Sequence, residues 1–186
     1  MSIKEEPLYK LLTEHLIVDI TNIVLIYNDF FTSGSCKYTL IGHTSRITSV
    51  AVLLNNNLVS GSWDNSIKIW RNNLVINTLI GHNDCVFCLL VLSNGDLVTG
   101  SADTTIKIWR DNKLINTLIG HTKCVTCLAI LPGGVLISGS YDKTIKIWKN
   151  GKLINSLTNN NLVLSLEVLH NSNLISSSHR TIKIWS

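Results

Sequence analysis

The fold is indicated by one repeated stretch, Ser60-Gly-Ser-Trp-Asp-Asn-Ser-Ile-Lys-Ile-Trp70, which returns three more times along the chain. Close copies lie at residues 99–109 and 138–148, and a degenerate copy lies at 176–185. The tryptophans that end the first three copies are 39 residues apart. A fixed period of about 40 residues predicts an array of identical supersecondary units, each packed against its neighbours.

The composition fits a folded chain whose main partner is not nucleic acid. Of the 186 residues, 45% are hydrophobic and only 15% are charged, which excludes a disordered chain and allows one domain with a substantial core. The formal net charge is only +4. One lysine recurs in each repeat, so these cations are spread around the array and form no single basic stripe.

The sequence contains no signal for a membrane or for secretion. Its longest apolar runs, such as residues 85–92, are far too short to span a bilayer, so we expect no membrane association. The first seven residues lack the apolar segment of a secretory signal. Five cysteines, an odd number, fit reduced thiols in the cytoplasm, with the nucleus as the alternative.

One repeat, residues 81–118, contains four short runs rich in β-branched residues and separated by turn residues. The runs are 85–92, 97–101, 106–109 and 114–118. This pattern predicts a four-stranded antiparallel meander, and no segment has a helical period. Several runs are apolar on both faces, which is typical of a sheet that lies between two others. The predicted fold class is therefore all-β, an array of stacked sheets.

Three features together resemble the WD40 β-propeller family: a Gly-His pair, an Asp six residues before a Trp, and the Ile-Lys-Ile-Trp segment. Three copies match closely, over about residues 40–158. The resemblance implies that each blade contains a buried hydrogen-bonded tetrad, in which the carboxylate finds the partners that burial requires. Carried over by position, the tetrads are His43, Ser60, Asp64, Trp70; His82, Thr99, Asp103, Trp109; and His121, Ser138, Asp142, Trp148.

The resemblance divides the chain into an N-terminal segment and a propeller domain. Residues 1–15 are expected to form an arm or a short helix, and residues 16–186 form the WD40-type domain. We predict an array of about four to five antiparallel blades, each of four strands when complete. These are a partial blade at 16–41, full blades at 42–80, 81–119 and 120–158, and an incomplete blade at 159–186.

The small number of blades leaves the closure of the ring undecided. Propellers of this family usually close with about seven blades, which at this period takes roughly 300 residues. Residues 36–41 resemble an outer strand that could complete the last blade and make a four-bladed ring. We favour an open arc that pairs with a second copy as a homodimer, because an open arc leaves strand edges exposed. A truncated relative of a full propeller is the remaining interpretation.

Two patterns in the sequence resemble chemical sites, a hydrolase triad and a zinc site, but neither is expected to be one. Ser, His and Asp recur in every full blade, but a set repeated three times with one spacing indicates architecture, since an enzyme needs a single preorganised constellation. The pairs Cys85-x-x-Cys88 and Cys124-x-x-Cys127 would suit zinc by residue type. Side chains three apart on a strand point to opposite faces, which argues against a shared metal. We therefore expect no enzyme, metal site or cofactor.

Nine positions near the Gly-His loops are the candidate partner-binding residues. In the family, partners dock mostly on the face around the central channel, where the residue before the turn Asp and two alternate residues of the first strand project. These positions differ between the copies, while the surrounding blade is nearly invariant. The candidates are Arg46, Thr48, Trp63, Cys85, Phe87, Ala102, Cys124, Thr126 and Tyr141.

The predicted function is a non-enzymatic scaffold that binds a protein or peptide through this face. Trp, Tyr and Arg are the residue types that most often anchor interfaces. Two alternatives stay open. One is a propeller fragment that assembles through its edge strands with itself or with another chain. The other is an adaptor in ubiquitin-dependent turnover, which only the family resemblance suggests.

Overall fold

The structure, a computed structural model, describes residues 36–169 and 171–186. The chain divides into two compact units, Met1–Thr39 and Leu40–Ser186, and every described strand lies in the second. The arm predicted at 1–15 and most of the partial blade predicted at 16–41 fall outside the described residues. Within the described part of the chain, no helix is long and apolar enough to cross a membrane.

In the described part of the chain, fifteen β-strands form four antiparallel sheets, in which each strand pairs with its neighbours in sequence. The first sheet contains β1 (Ile47–Val52), β2 (Leu58–Ser62), β3 (Ile67–Arg71) and β4 (Leu74–Leu79). The second contains β5 (Val86–Val91), β6 (Leu97–Ser101), β7 (Ile106–Arg110) and β8 (Lys113–Leu118). The third contains β9 (Val125–Leu131), β10 (Val135–Ser140), β11 (Thr144–Lys149) and β12 (Lys152–Thr158). The fourth contains three strands, β13 (Ser165–Val168), β14 (Leu174–Ser177) and β15 (Ile182–Trp185). The predicted all-β array of antiparallel blades is confirmed.

The hairpins between the third and fourth strands of the three full blades use tight turns. Asn72 and Asn73 both have positive φ angles, 50° and 67°. Positive φ at both central residues is typical of a type I′ turn, whose twist matches the right-handed twist of the flanking strands. Asn, Asp and Gly tolerate this conformation best, which accounts for Asp111-Asn112 and Asn150-Gly151 at the same turn in the next two blades.

Adjacent sheets approach closely at a glycine of the second strand. A Cβ atom built on Gly61 would lie only 2.7 Å from Cγ1 of Val86, which belongs to the first strand of the next sheet. The same close approach recurs at the next two junctions, at 2.8 Å and 2.5 Å, in the pairs Gly100–Val125 and Gly139–Val163. The valines enter apolar clusters between the sheets, and these clusters form the core.

The sheets at the two ends of the array carry exposed apolar side chains. The first isoleucine of Ile-Lys-Ile-Trp is fully buried in three blades, as Ile67, Ile106 and Ile145. Its counterpart in the fourth blade, Ile182, is 73% exposed, and Val50 on β1 is exposed at the other end. The four sheets of the second unit therefore form an open, incomplete ring.

The outer strand predicted at residues 36–41 is not a strand in the structure. Residues 36–46 form no strand, and the side chains of Tyr38 and Ile41 are exposed. A strand needs a neighbouring edge to pair its backbone groups, and the fourth sheet consists of three strands among the described residues. Closure of a four-bladed ring by this segment is thus not seen in the residues that the structure describes.

Candidate interaction face

The loops that carry the predicted functional residues meet at one end of the sheets. In each sheet the odd-numbered strands begin at this end and the even-numbered strands end there. The Gly-His loops before β1, β5 and β9 therefore share one surface with the turns between the second and third strands. We call this surface the upper face, and we call the opposite end, with the turns β1–β2 and β3–β4, the lower face.

The second blade illustrates how a tetrad is built. The loop before β5 brings His82 beside the turn residue Asp103, with 2.8 Å between His82 Nδ1 and Asp103 Oδ2. The other ring nitrogen, Nε2, lies 2.7 Å from Oγ1 of Thr99, and Trp109 Nε1–H donates to the same oxygen at 3.0 Å. Thr99 thus accepts from Trp109 and donates to His82 Nε2, which leaves Nδ1–H to donate to the carboxylate.

The other two full blades repeat this geometry. The His–Asp distance is 2.8 Å in both, the His–Ser distances are 2.8 and 2.7 Å, and the indole N–H donates to the serine at 2.8 Å in both. The residues are His43, Ser60, Asp64 and Trp70 in the first blade, and His121, Ser138, Asp142 and Trp148 in the third. The structure therefore brings the twelve predicted tetrad residues together in three sets of four.

The order Asp–His–Ser is also that of a hydrolase triad, so access to the hydroxyl group decides what the tetrads can do. The hydroxyl oxygen of Ser60 accepts the indole N–H of Trp70, and the residue is only 2% exposed. Thr99 and Ser138 are fully buried. A substrate carbonyl has no access to these oxygens, and the tetrads instead hold the Gly-His loop and the turn onto the sheet.

The buried carboxylates of the tetrads are held in their ionised form. Burial by itself raises the pKa of Asp103, but hydrogen bonds from His82 and Thr105 outweigh burial and hold the pKa well below its usual range. The backbone N–H of Asn83 donates to the same carboxylate at 3.0 Å. The pKa of Asp64 is lowered by the same balance of burial and hydrogen bonds. In each full blade the turn is therefore held to the Gly-His loop by hydrogen bonds to an ionised carboxylate.

We expect the protein to lose stability in acid through these groups. The folded pKa of Asp142 is about 2, below its ordinary value of 3.8, so the unfolded chain takes up protons first as the pH falls. The carboxylates contribute stability that is fully present above about pH 4 and is lost as the pH falls towards about 2. Burial lowers the pKa of His121, which adds a loss that begins below its ordinary value of 6.5.

Urea unfolding at a series of pH values measures this dependence. The free energy of unfolding is expected to fall steeply between about pH 4 and pH 2, because three carboxylates titrate together. A free energy of unfolding that stays constant over that range would contradict the assignment of the carboxylates.

The fourth blade keeps only half of a tetrad. Trp185 Nε1–H donates to Ser176 Oγ at 2.9 Å, as in the other blades. Asn159 and Asn160 stand where the Gly-His pair should be, and no Asp lies in the turn after β14. Asn159 is buried, and among the described residues its Oδ1 is a buried side-chain oxygen without a hydrogen-bond partner. The degenerate sequence of this repeat thus corresponds to a blade with fewer internal hydrogen bonds.

The first pair of predicted partner-binding residues forms a cation–π contact. The guanidinium carbon of Arg46 lies 5.5 Å from the centroid of the Trp63 ring. The backbone N–H of Trp63 donates to the carbonyl oxygen of Arg46 at 2.9 Å, which holds the turn beside the start of β1. Both side chains remain exposed, Trp63 to 43%. An aromatic ring of this size is thus presented at the surface by a rigid turn.

A second pair joins the second and third blades. The rings of Phe87, on β5, and Tyr141, in the turn after β10, lie with their centroids 6.4 Å apart and their planes tilted by 55°. Both residues are half-buried. The repeat comparison selects both residues but does not reveal that they contact each other, because the contact crosses from one blade to the next.

The two threonines among the candidates use their hydroxyl groups inside the fold. Thr48 Oγ1–H donates to Gly61 O at 3.0 Å and to Val86 O of the next sheet. Thr126 Oγ1–H makes the same pair of bonds to the carbonyl oxygens of residues 139 and 163, at 3.1 and 2.6 Å. These hydroxyl groups join neighbouring sheets, a role that the repeat comparison does not indicate.

The remaining three candidates are small, half-buried residues beside the larger side chains. The backbone N–H of Ala102 donates to Cys85 O at 2.8 Å, and that of Tyr141 donates to Cys124 O at 3.0 Å. Cys85 Sγ lies 3.8 Å from the carbonyl oxygen of Trp63 in the preceding blade. All nine predicted positions thus lie at the upper face, but only some of them project from it.

The two Cys-x-x-Cys pairs are split between the surface and the core. Cys88 and Cys127 lie in the apolar clusters between sheets, whereas Cys85 and Cys124 are half-buried at the upper face. Burial raises the pKa of the Cys127 thiol to about 11, which keeps it protonated at neutral pH. In residues 36–169 and 171–186, no group of three or more His, Cys, Asp or Glu is placed to hold a metal ion.

This geometry defines a class of protein: a repeat scaffold of antiparallel blades whose internal tetrads are constant and whose upper face varies. A family model described as "WD domain, G-beta repeat" matches residues 34–71, 73–110, 112–149 and 151–186. The matches cover most of the chain, so the protein belongs to the WD40 repeat family. Domains of this family generally bind proteins or peptides and are typically not enzymes.

Solved structures share the fold. The WD40 β-propeller domain of Doa1 is 32% identical, with a TM-score of 0.77 over 83% of this chain and 55% of that chain. The computationally designed Ika4 protein is 30% identical, with a TM-score of 0.70 over 79% of this chain and 94% of that one. U3-55K is 25% identical, with a TM-score of 0.74 over 80% and 51%. This chain therefore spans about half the length of the Doa1 and U3-55K chains that it matches.

Proposed function

We propose that the protein is a non-enzymatic scaffold that binds a protein or peptide partner through its upper face. The observation that carries the proposal is a contrast between repeats. The tetrad recurs in three blades, whereas the residue before the turn Asp is Trp63, Ala102 or Tyr141. Packing dictates the residues that recur. An exposed tryptophan at a rigid turn has no such packing role, and exposed rings are frequent interface anchors.

The proposed contact set consists of four side chains: Arg46, Trp63, Phe87 and Tyr141. They form two contacting pairs, so each ring is held in one orientation before a partner arrives. Preorganised side chains lose less conformational entropy on binding, which favours affinity. In this proposal the small residues Cys85, Ala102 and Cys124 form the surface between the two pairs. Thr48 and Thr126 act by joining neighbouring sheets through their hydroxyl groups.

The proposed role requires no catalytic group, cofactor, nucleic acid or membrane. The hydroxyl groups that would act as nucleophiles are buried and accept the indole N–H of a tryptophan, which supports a structural role for the tetrads. All five cysteines are free, which supports a reducing compartment. We assign the protein to the cytoplasm, with the nucleus as the alternative, as part of this proposal.

Truncation of the exposed Trp63 ring and of the half-buried Tyr141 ring tests the proposed face. We expect Trp63→Ala and Tyr141→Ala each to weaken partner binding by roughly 10- to 100-fold, since central aromatic anchors contribute about 1–3 kcal/mol or more. The measurement compares affinity-purified partners of the wild type and the variants, followed by the Kd of the main partner. Thermal unfolding should show that both variants remain folded.

The matched control is Ile115→Ala, which removes an exposed apolar side chain from the outer strand β8, away from the upper face. This variant should capture the same partners as the wild type. If the two ring variants also captured the same partners with unchanged Kd, the proposed face would be wrong.

An adaptor role in ubiquitin-dependent turnover is a more specific form of this proposal. No described residue selects ubiquitin over other proteins, so the direct probe is purified ubiquitin. Saturable binding that Trp63→Ala weakens would support the adaptor role. Absence of binding at millimolar ubiquitin would exclude direct ubiquitin recognition by this face and leave the scaffold proposal in place.

The open edge of the fourth sheet supports a second candidate function, assembly through edge strands. In the full blades the lysine of Ile-Lys-Ile-Trp donates to a hydroxyl group of the outer strand, as Lys68 does to Thr78 at 3.1 Å. In the fourth blade the equivalent Lys183 lies over the Trp185 ring, 5.4 Å from its centroid, and Ile182 is exposed. An added strand with a hydroxyl residue in this register would satisfy the edge.

The sequence offers a segment for that edge. Residues 39–43 read Thr-Leu-Ile-Gly-His, identical to residues 78–82 and 117–121, which contain the ends of β4 and β8. Strand addition between two copies would produce a homodimer. Light scattering after size exclusion measures the solution mass: a discrete dimer would support edge assembly, and a sharp monomer at high micromolar concentration would exclude it.

A further inference from the structure

The exposed charges of the upper face are mostly positive. Four exposed cations lie there: Arg46 before β1, Lys123 before β9, Lys143 after β10 and Arg180 after β14. None of them forms an ion pair within the described residues. In the described loops of this face, Asp84 is the one exposed acidic residue. The surface available to a partner is therefore locally positive.

The other carboxylates near this surface are buried within the tetrads. The side chains of Asp64, Asp103 and Asp142 are only 10%, 6% and 6% exposed. Their oxygens already accept hydrogen bonds from a histidine, from a Ser or Thr hydroxyl group and from backbone N–H groups. Little hydrogen-bonding capacity is left for a ligand, so an approaching group meets the exposed cations instead.

Aromatic side chains lie on the same face. Trp63 in the first blade and Tyr141 in the third occupy the position that Ala102 occupies in the second. Because the second blade packs between the first and the third, the Ala102 methyl group is expected to leave a shallow depression between the two larger side chains. A large apolar side chain of a partner can pack at this point, against Trp63 on one side and the Phe87–Tyr141 pair on the other.

We propose that the upper face recognises an acidic peptide segment that contains one large apolar residue. The apolar side chain packs over Ala102, and carboxylates on either side of it pair with Arg46 of the first blade and with Lys123 and Lys143 of the third. This inference rests on the proposed function and specifies the chemistry of the partner. Charge complementarity of this kind sets specificity and association rate more than raw affinity.

Single-stranded nucleic acid also combines negative charge with flat apolar groups, but the ring geometry favours a peptide. Base stacking needs an open ring face. Single strands stack successive bases on several exposed rings, whereas among the described aromatic residues of this face Trp63 is exposed and Phe87 and Tyr141 are half-buried. Binding of a nucleic acid to this face is therefore an outcome that would overturn the proposal.

Selection from a random peptide library displayed on phage, with the full chain as bait, tests the proposal. We expect the selected sequences to be enriched in Asp and Glu around a Phe, Trp, Leu or Met. For a synthetic peptide of the best selected sequence, Lys123→Glu combined with Lys143→Glu should raise the Kd by about tenfold or more. The matched control, Lys113→Glu with Lys152→Glu, makes the same change at exposed lysines of the lower face and should alter the Kd by less than about twofold.

The outcomes separate this inference from the proposed function. Selected sequences without acidic enrichment, whose binding is still lost in Trp63→Ala, overturn the acidic chemistry and leave the face in place. A selected peptide that binds Trp63→Ala and Tyr141→Ala as tightly as the wild type overturns the proposed function as well. A library that yields no enriched peptide, or an oligothymidylate that binds the face more tightly than the selected peptide, overturns the peptide proposal.

Discussion

Asp103→Ala is expected to lower the free energy of unfolding by about 3–5 kcal/mol, because one carboxylate satisfies four donors in the second blade. The donors are His82 Nδ1, the Asn83 backbone N–H, and the backbone N–H and hydroxyl of Thr105, at 2.7 to 3.0 Å. Alanine leaves these groups without an acceptor in a poorly hydrated site. The Gly-His loop then loses its connection to the turn, and the upper face loses its support.

Urea unfolding at neutral pH measures this effect, and Asp84→Ala provides the control. Asp84 precedes β5 and is exposed, and its side chain accepts the backbone N–H of the neighbouring Cys85, at 2.7 Å. Its replacement should change the free energy of unfolding by less than about 1 kcal/mol. Equal losses in the two variants would show that the tetrad of the second blade does not stabilise the fold.

Ile145→Asp should unfold the protein or lower the free energy of unfolding by more than about 4 kcal/mol, because it buries an unpaired charge between sheets. Ile145 is 0% exposed and belongs to the apolar cluster between the third and fourth sheets. Ile182 occupies the same position of the repeat in the fourth blade but is 73% exposed. Ile182→Asp should therefore change the free energy of unfolding by less than about 0.5 kcal/mol.

The comparison of these two substitutions also tests whether the fourth sheet is uncovered in solution. Circular dichroism and urea unfolding give the stability of each variant, and light scattering gives its mass. If Ile182→Asp destabilised the protein as strongly as Ile145→Asp, something would cover the last sheet in solution. A dimer that Ile182→Asp converts to a monomer would identify the cover as a second copy.

The fold and the tetrads can be predicted from the sequence because the same residues recur with one period. Each Gly-His pair, turn Asp and Trp lies at a fixed spacing, and a fixed spacing on a four-stranded meander gives a fixed geometry. His82 and Asp103 are 21 residues apart in the chain, and the hairpins between them bring their side chains into contact at 2.8 Å. Sequence comparison between repeats is enough to find such contacts within a blade.

Contacts between blades could not be predicted in this way. The repeat comparison identifies Thr48 and Phe87 as equivalent variable positions, yet Thr48 bonds to the next sheet whereas Phe87 packs on Tyr141. Such contacts depend on how adjacent sheets stack, which the period does not specify. The ion pair of the buried Asp96 with the exposed Arg110, at 2.7 Å, also occurs in one blade alone among those described and has no repeat signal.

Residues 36–41 show the opposite case, in which a correct sequence resemblance did not give the structure. Residues 39–41 read Thr-Leu-Ile, like the ends of the outer strands β4 and β8. The residues nevertheless form no strand, because strand formation needs a neighbouring edge as well as a suitable sequence. The local sequence pattern indicates β-strand propensity, whereas strand pairing depends on which other strands lie beside the segment.

Hydrogen–deuterium exchange of the chain with and without the best selected peptide tests whether the upper face is the binding surface, because it locates the contact without any substitution. Slower exchange is expected in the loops before β1, β5 and β9 and in the turns that contain Trp63, Ala102 and Tyr141. Exchange in the lower-face turns and along β15 should stay unchanged. Protection confined to β15 or to the lower-face turns would contradict the proposal that the upper face is the binding surface.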